Sequence, residues 1–257
     1  NVERDFSYVG MSARYHNALS RMGINADAVG PESDWSGYRA LLAPTVHVLT
    51  PALAERLKAF VQAGGTLLLG PRSGVKDGEN AIVNELLPGL LRELAGCTVE
   101  EYDAFSDVSG LEMTVLDASG ASYGALALAD VLVPEEGAET VLTYGARYYA
   151  GQPAAVEHAY GQGRCLYLGT VPDDEALQVL LRAWVLDPLG LPGVDDLPAS
   201  VEVSRRAKGD QVYTFYLNHA EVPVQVQVAA PGVDLLTGQE VGRSAELEGY
   251  GILIVKA

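Results

Sequence analysis

An α/β domain with a mostly parallel sheet flanked by helices, followed by a small antiparallel all-β domain, is the fold class this sequence predicts. Three observations carry it. Between residues 39 and 69, short apolar runs alternate with a well-punctuated amphipathic helix across short connections. A break rich in Pro, Gly and Asp, LPGVDDLPAS, occupies residues 191–200. Beyond it, QVYTFYLN, VPVQVQV and GILIVKA each alternate with period two. The expected domains are residues 1–192 and 198–257. A chain of 257 residues, 48% of them hydrophobic, can bury one sizeable core and a second small one.

The first element is SARYHNALSRMG, residues 12–23, where Tyr15, Leu19 and Met22 recur at helical spacing and Gly23 supplies the stop. INADAV is expected as a short strand, PESDWSGY as a turn-rich connection and RALLA, residues 39–43, as a buried strand. Thr50 can cap the next helix, and Pro51 suits its first position because the missing N–H would have no partner there. Gly64 and Gly65 end that helix and lead into the buried strand TLLLG. In a parallel sheet covered on both faces such a strand need not alternate. NELLPGLLRELAG is a helical candidate interrupted by Pro88 and Gly89, with LLRELAG its firmer part.

The period then changes. TVEEYDAF, LEMTVLDASG and ADVLVPEEG read as strands and turns of an appended region, and AAVEHAYGQGRCLYLG, residues 154–169, as a hairpin about YGQGR. A last helix, DDEALQVLLRAWVLDPLG, opens with three acids at its positive dipole end and buries Leu177, Leu180, Leu181 and Trp184. The beginning of the chain fits this scheme poorly. A parallel α/β unit opens with a strand, yet a helix starts within a dozen residues and NVERDFSYVG is a weak central strand. The sequence is therefore expected to be the downstream part of a longer polypeptide.

Charge narrows the partners. The formal net charge is −17, and residues 1–198 hold 12 basic against 27 acidic residues while residues 199–257 hold five against seven. Such a field repels a phosphate backbone, and no basic stripe offsets it, so nucleic acid is not an expected partner. Cys97 and Cys165 lie far apart in apolar, strand-like contexts and read as reduced core thiols of a cytoplasmic protein, in preference to a disulfide. No stretch is apolar and long enough for a membrane span, and no leader pattern opens the sequence.

The loop GPRSGVKDG looks poised for chemistry, but it carries neither G-x-G-x-x-G nor G-x-x-x-x-G-K-[ST], so nucleotide binding is disfavoured. Arg72 suits a bidentate carboxylate contact between subunits or domains, with a plain solvent-exposed turn as the alternative. Ser73 follows Pro71-Arg72 and precedes Gly74, a poor nucleophile elbow, and no histidine follows until His158. The four histidines lack metal-ligand spacing, and no cofactor or metal is expected. His47, in PTVHVLT after a strand, sits where α/β proteins place ligands, although a structural or interface role suits it better. Glu100, Glu101, Asp103, Asp107 and the acids at 173–175 read as solvated surface or a helix start. Tyr144, Arg147, Tyr148 and Tyr149 form a dense amphipathic patch that fits core and interface equally, with sugar contact a weaker reading.

The stretch GINADAVGPESDWSGYRALLAPTVHVLTPALAERLKAFVQAGGTLLLGPRSGVKDGENAI resembles the middle domain of the family 42 glycoside hydrolases, bacterial β-galactosidases. The resemblance continues through PGLLRELAGCTVEEYDAF, YYAGQPAAVEHAYGQGRCLYLGT, YTFYLNHAEVPVQV and DLLTGQEV, covering nearly the whole chain. It implies an α/β domain similar to the class I glutamine amidotransferase or flavodoxin-like fold that mediates trimer formation, then a small antiparallel β domain. In that family a preceding (β/α)₈ barrel carries a glutamate acid/base and a glutamate nucleophile. No position here corresponds to either glutamate, so the segment is expected to be inactive alone.

The resemblance further implies a parent enzyme that hydrolyses terminal β-D-galactosyl residues with retention, with carboxyl groups about 5–5.5 Å apart in the missing barrel, where the β-galactoside binds. It places Arg72, Ser73 and Gly74 in the PRSG turn of the assembly domain, and Asp77 and Asn80 in the polar segment after it, near a neighbouring protomer's barrel. The candidate interface residues are thus Arg72, Ser73, Gly74, Asp77, Asn80, His47 and Tyr148, in a homo-oligomer that is a trimer in the full enzyme. The Cys-His-Glu arrangement of amidotransferases has no counterpart, which leaves a hydrolase built on Cys165 or Ser73 little basis. A free-standing structural or carbohydrate-binding module is the alternative.

Overall fold

The computed structural model describes residues 6–104, 113–191, 193, 194 and 197–257. In chain order the elements are α1 (Tyr8–Arg21), β1 (Ala40–Ala43), α2 (Pro51–Gln62), β2 (Thr66–Leu69), a 3₁₀ turn (Gly89–Leu91) and α3 (Arg92–Ala95). There follow β3 (Cys97–Ala104), β4 (Met113–Leu116), β5 (Ser122–Pro134), β6 (Ala138–Tyr144), β7 (Pro153–Tyr160), β8 (Gly163–Leu168), β9 (Thr170–Pro172) and α4 (Asp174–Leu181). The last strands are β10 (Val201–Lys208), β11 (Gln211–Asn218), β12 (Val224–Gln227), β13 (Gly232–Asp234), β14 (Glu240–Val241), β15 (Ser244–Leu247) and β16 (Ile252–Lys256). Two compact units divide the chain, one of Asn1–Tyr15 and Val29–Val179, the other of His16–Ala28 and Leu180–Ala257.

In the first unit nine strands form one sheet in the order β1-β2-β8-β7-β6-β4-β5-β3, with β9 beside β5. This sheet corrects the expected mostly parallel, flavodoxin-like architecture. Among the described residues only β1–β2 and β2–β8 are parallel, and the other six strand pairs of this sheet are antiparallel. A parallel neighbour needs a long crossover, whereas antiparallel strands can be joined by tight turns. After β2 the crossover runs through the short α3 and five antiparallel strands, β3 to β7, and its last hairpin, β7–β8, delivers β8 parallel to β2. The strands read as an appended region are therefore part of the main sheet.

Local signals explain α2. Thr50 has an extended backbone and accepts the Leu53 N–H through its hydroxyl, and Pro51 opens the helix. Ala54, Leu57 and Val61 then turn inward and join Leu67 and Leu69 of β2, Tyr167 and Cys165 of β8 and Cys97 of β3 in one buried cluster. Each fully buried aliphatic side chain of this kind contributes about 1.5–3 kcal/mol. Asp173 caps α4 by accepting the Ala176 N–H, and Asp174 meets Arg14 at 2.9 Å. Leu177, Leu180 and Leu181 are buried, whereas Trp184 is only half-buried, in a π turn at Arg182–Leu186.

In the second unit a five-stranded antiparallel sheet, β10-β11-β16-β13-β14, accompanies the β12–β15 ribbon. Their core is Val201, Val203, Tyr216, Val226, Leu247 and Val255. The expected strand INADAV is absent. Its Asn25 carboxamide donates to Arg205 O at 2.6 Å and accepts Arg205 N–H at 3.2 Å, so a side chain replaces the backbone ladder.

Candidate functional site

Beyond the ends of β1 and β2, residues 44–50 and 70–82 run side by side. Gly70 N–H bonds to Ala43 O, Gly74 N–H to Val46 O, Lys76 N–H to His47 O and Leu49 N–H to Lys76 O, at 2.8–2.9 Å. The approach demands glycine twice. A Cβ on Gly70 would lie 1.8 Å from Pro44 O, and one on Gly74, whose φ is 74°, would lie 2.2 Å from Pro88 O.

Ser73 closes the two segments. Its side chain is fully buried, donates to Gly70 O at 2.8 Å and accepts Val46 N–H at 3.1 Å. A hydroxyl committed at both ends to backbone is a clamp, and neither of these partners is a general base. Asp77 is likewise spent on its own turn, accepting the N–H groups of Glu79 and Ala81 at 2.9 Å. Asn80, at φ 65°, accepts Lys76 Nζ at 2.9 Å. Val48 and Ile82 each bridge to Lys76, and their side chains are 43% and 76% exposed.

Arg72 is held differently. Its φ is 62°, unusual for a residue with a side chain, and its N–H donates to Asp130 Oδ2 at 3.0 Å. Its guanidinium carbon lies 4.1 Å from the centroid of the Tyr102 ring. Asp130, 2% exposed on β5, also accepts the Tyr167 hydroxyl at 2.9 Å, while its Oδ1 has no partner among the described residues. Burial raises the Asp130 carboxyl above its ordinary range, opposed by the hydrogen bonds from Arg72 and Tyr167 and by the Arg72 charge. Half-buried His47 is shifted below its usual value, first by desolvation and then by the Arg72 and Lys76 charges.

Tyr148 does not join this group. In the β3–β5 register Tyr102 stands opposite Asp130 and shares its face, so Glu101 and Asp103 point to the other. There Tyr148 donates to Glu101, Tyr149 donates to Asp103 at 2.9 Å and Arg147 meets Asp103 at 3.1 Å. Tyr149 packs edge-on against Tyr148 and Tyr144 at 4.8 and 5.0 Å. Tyr144 and Tyr149 are buried, Tyr144 donating to Asp130 O and Gly169 O, whereas Tyr148 is 73% exposed. Hydrogen bonding to Glu101 pushes the Tyr148 hydroxyl up to about 12.

Neither thiol is poised for attack. Burial, with Glu135 and Asp130 nearby, pushes Cys97 up to about 12, and burial raises Cys165 as well. Among the described residues, no group of three or more His, Cys, Asp or Glu is arranged to hold a metal ion, and no helix is long and apolar enough to cross a membrane. His158 lies 3.2 Å from Leu94 O, and His219 lies 3.1 Å from Glu202, so neither approaches His47's loops in these contacts. Glu101 and Asp103, read as solvated acids, are engaged by tyrosines and an arginine; Asp107 lies outside the described residues. Tyr102 and Asp130 escaped the sequence reading. A lone carboxylate inside the apolar run LALADVLV was the signal for Asp130.

Two family models match in succession, the β-galactosidase trimerisation domain over residues 1–192 and the β-galactosidase C-terminal domain over residues 200–257. A β-galactosidase of Planococcus sp. (strain 'SOS Orange') is 31% identical over 252 residues, covering 96% of this chain and 37% of that protein. One from Alicyclobacillus acidocaldarius is 32% identical over 248 residues, covering 94% and 36%. The crystal structure of β-galactosidase from Bacillus circulans sp. alkalophilus superimposes with a TM-score of 0.90 at 30% identity, covering 98% of this chain and 38% of that one. This chain thus spans just over a third of the length of the curated relatives it matches. It belongs to the family 42 β-galactosidases, as their trimerisation and C-terminal domains.

Proposed function

We propose that this chain is the assembly-forming and C-terminal portion, without catalytic machinery of its own, of a β-galactosidase that hydrolyses terminal β-D-galactosyl residues with retention. The observation that carries this reading is the ordered match to the trimerisation and C-terminal domain models across nearly the whole chain. The β-galactoside is bound and cleaved in a barrel outside these residues, and the active unit is a homotrimer in the cytoplasm. Domain boundaries of 1–192 and 198–257 accompany the proposal. Within it, Arg72, Asp77, Asn80, His47 and Tyr148 are candidate contacts to a neighbouring subunit, while Ser73 and Gly74 shape the turn that presents Arg72. The committed hydroxyl of Ser73 and the buried thiols support a noncatalytic role.

Two measurements test it. The chain expressed alone should not turn over a nitrophenyl β-D-galactoside, and sedimentation equilibrium of the β-galactosidase containing it should give the mass of three copies. Turnover by the isolated chain overturns the noncatalytic assignment, and a monomeric enzyme overturns the assembly. The exposed ring of Tyr148 favours one second reading, a carbohydrate-binding surface. A titration with galactosides that produces no saturable change in intrinsic fluorescence removes it.

A further inference from the structure

Five arginines of the first unit, Arg14, Arg56, Arg92, Arg147 and Arg164, reach a carboxylate within that unit. Arg72 does not. Among the described residues its guanidinium forms no ion pair and rests on the ring of Tyr102, which is 55% exposed. A guanidinium that binds a ring through its face keeps the N–H donors around its edge for another partner. The backbone below is fixed as well, because Asp130 holds the Arg72 N–H in a left-handed conformation. A cation ordered before its partner arrives loses little further conformational entropy on binding.

The surroundings favour a protein carboxylate over a small anion. On the same pair of segments Val48 and Ile82, both bridged to Lys76, leave apolar surface exposed, and the cation of Lys76 is already bonded to Asn80. One guanidinium edge matches the two oxygens of a single carboxylate in a bidentate pair. A copy of this chain presents 34 acidic against 17 basic residues. Closed threefold symmetry also requires a heterologous contact, in which each copy gives one surface and receives a different one. Arg72 suits one side of such a contact, since among the described residues its bond to a carboxylate of its own copy runs from the backbone N–H to the buried Asp130 and leaves the guanidinium without an ion pair.

We infer that Arg72, laid on Tyr102 and pinned by Asp130, is a receptor for an Asp or Glu side chain of a second copy of this chain, with Val48 and Ile82 shielding the ion pair. The inference rests on the assembly reading above and adds the chemistry of the contact. Three such contacts, one per copy, close the ring. Burying them behind an apolar rim makes each a determinant of the dissociation rate more than of encounter.

The test uses the β-galactosidase that contains this chain, followed by sedimentation velocity across a dilution series. Arg72→Gly removes the guanidinium while suiting the left-handed backbone, so its unfolding midpoint should match or exceed that of the wild type. Its trimer dissociation constant should rise at least about 10-fold. Arg72→Lys keeps a cation that a carbodiimide can couple to a carboxylate, and mass spectrometry should find position 72 joined to an Asp or Glu of another copy's chain. A wild type that never trimerises overturns the assembly reading and the inference together. A trimer unchanged by Arg72→Gly leaves the assembly standing and overturns the inference. A weakened trimer whose position 72 couples within its own copy, couples outside these 257 residues or does not couple at all overturns the carboxylate assignment.

Discussion

The two faces of β3 use the same residue types to opposite ends. On one, Glu101 and Asp103 accept from Tyr148 and Tyr149, and Arg147 pairs with Asp103, so each of these carboxylates meets a donor within the unit. On the other, Asp130 spends one oxygen on Arg72 N–H and Tyr167, and the Arg72 guanidinium lies on Tyr102 without an ion pair among the described residues. The difference teaches where to look for a partner. A closed network stabilises its own domain, whereas a cation held in place but left unpaired is a surface awaiting completion.

The largest break in this contrast comes from Asp130→Ala. It leaves the Arg72 N–H and the Tyr167 hydroxyl without an acceptor in a buried site, at about 1–3 kcal/mol for each lost partner, and urea unfolding should read the sum. Asp130→Asn keeps an acceptor and should recover part of that loss. The two variants also differ in pH response. Because the folded carboxyl titrates above its unfolded value, the folded state binds more protons in between. The Asp130 contribution is thus fully present below the unfolded value and declines as pH rises through the folded one. Asp130→Asn should flatten that decline, and a wild-type midpoint that rises over the same window would refute the assignment.

Tyr149→Phe probes the closed face with a smaller expected effect. It removes a hydrogen bond to a carboxylate and leaves the packing on Tyr144 and Tyr148, so about 1.5 kcal/mol should be lost in the same urea experiment. The trimer of the parent enzyme should be unaffected. A loss of assembly here, with Arg72→Gly silent, would reverse the roles of the two faces.

How much of this was legible depended on range. The Thr50–Pro51 start of α2 and the β7–β8 hairpin rest on neighbours in sequence, and both stand as the residues suggest. The direction of the sheet does not. TLLL shows only that a strand is covered on both faces; whether its neighbour runs parallel is set by the connection, which here passes through five strands before β8 returns. Arg72 stood out as a fixed cation in a turn, yet its ring and its anchor lie 30 and 58 positions away. No local pattern joins them. The partner of Ser73 was hidden for the same reason, since the Val46 N–H that its hydroxyl accepts lies 27 residues earlier.

Tyr102→Leu separates stability from recognition on the open face. The ring is exposed over half its surface, so the domain should lose less than about 1 kcal/mol, the range of a cation–π contact near solvent. Without the ring the guanidinium is free to leave its fixed position, and trimer dissociation should rise, by less than for Arg72→Gly. A Tyr102→Leu trimer as tight as the wild type would mean that Asp130 alone orders the cation.

The smallest effect belongs to Tyr148, the exposed end of the closed face. Its hydroxyl donates to Glu101, and that bond, ahead of burial, carries its titration from 10.0 up to about 12. Glu101→Gln removes the negative charge while keeping an acceptor, so the ultraviolet absorbance of one tyrosinate should emerge at lower pH. The unfolding midpoint should stay where it is, because the side chain is held at the surface and not in the core. If Tyr148→Phe leaves the alkaline titration of the Glu101→Gln variant unchanged, the shifted group is another tyrosine, and the hydroxyl of Tyr148 is then available to a partner instead of being closed on Glu101 of β3.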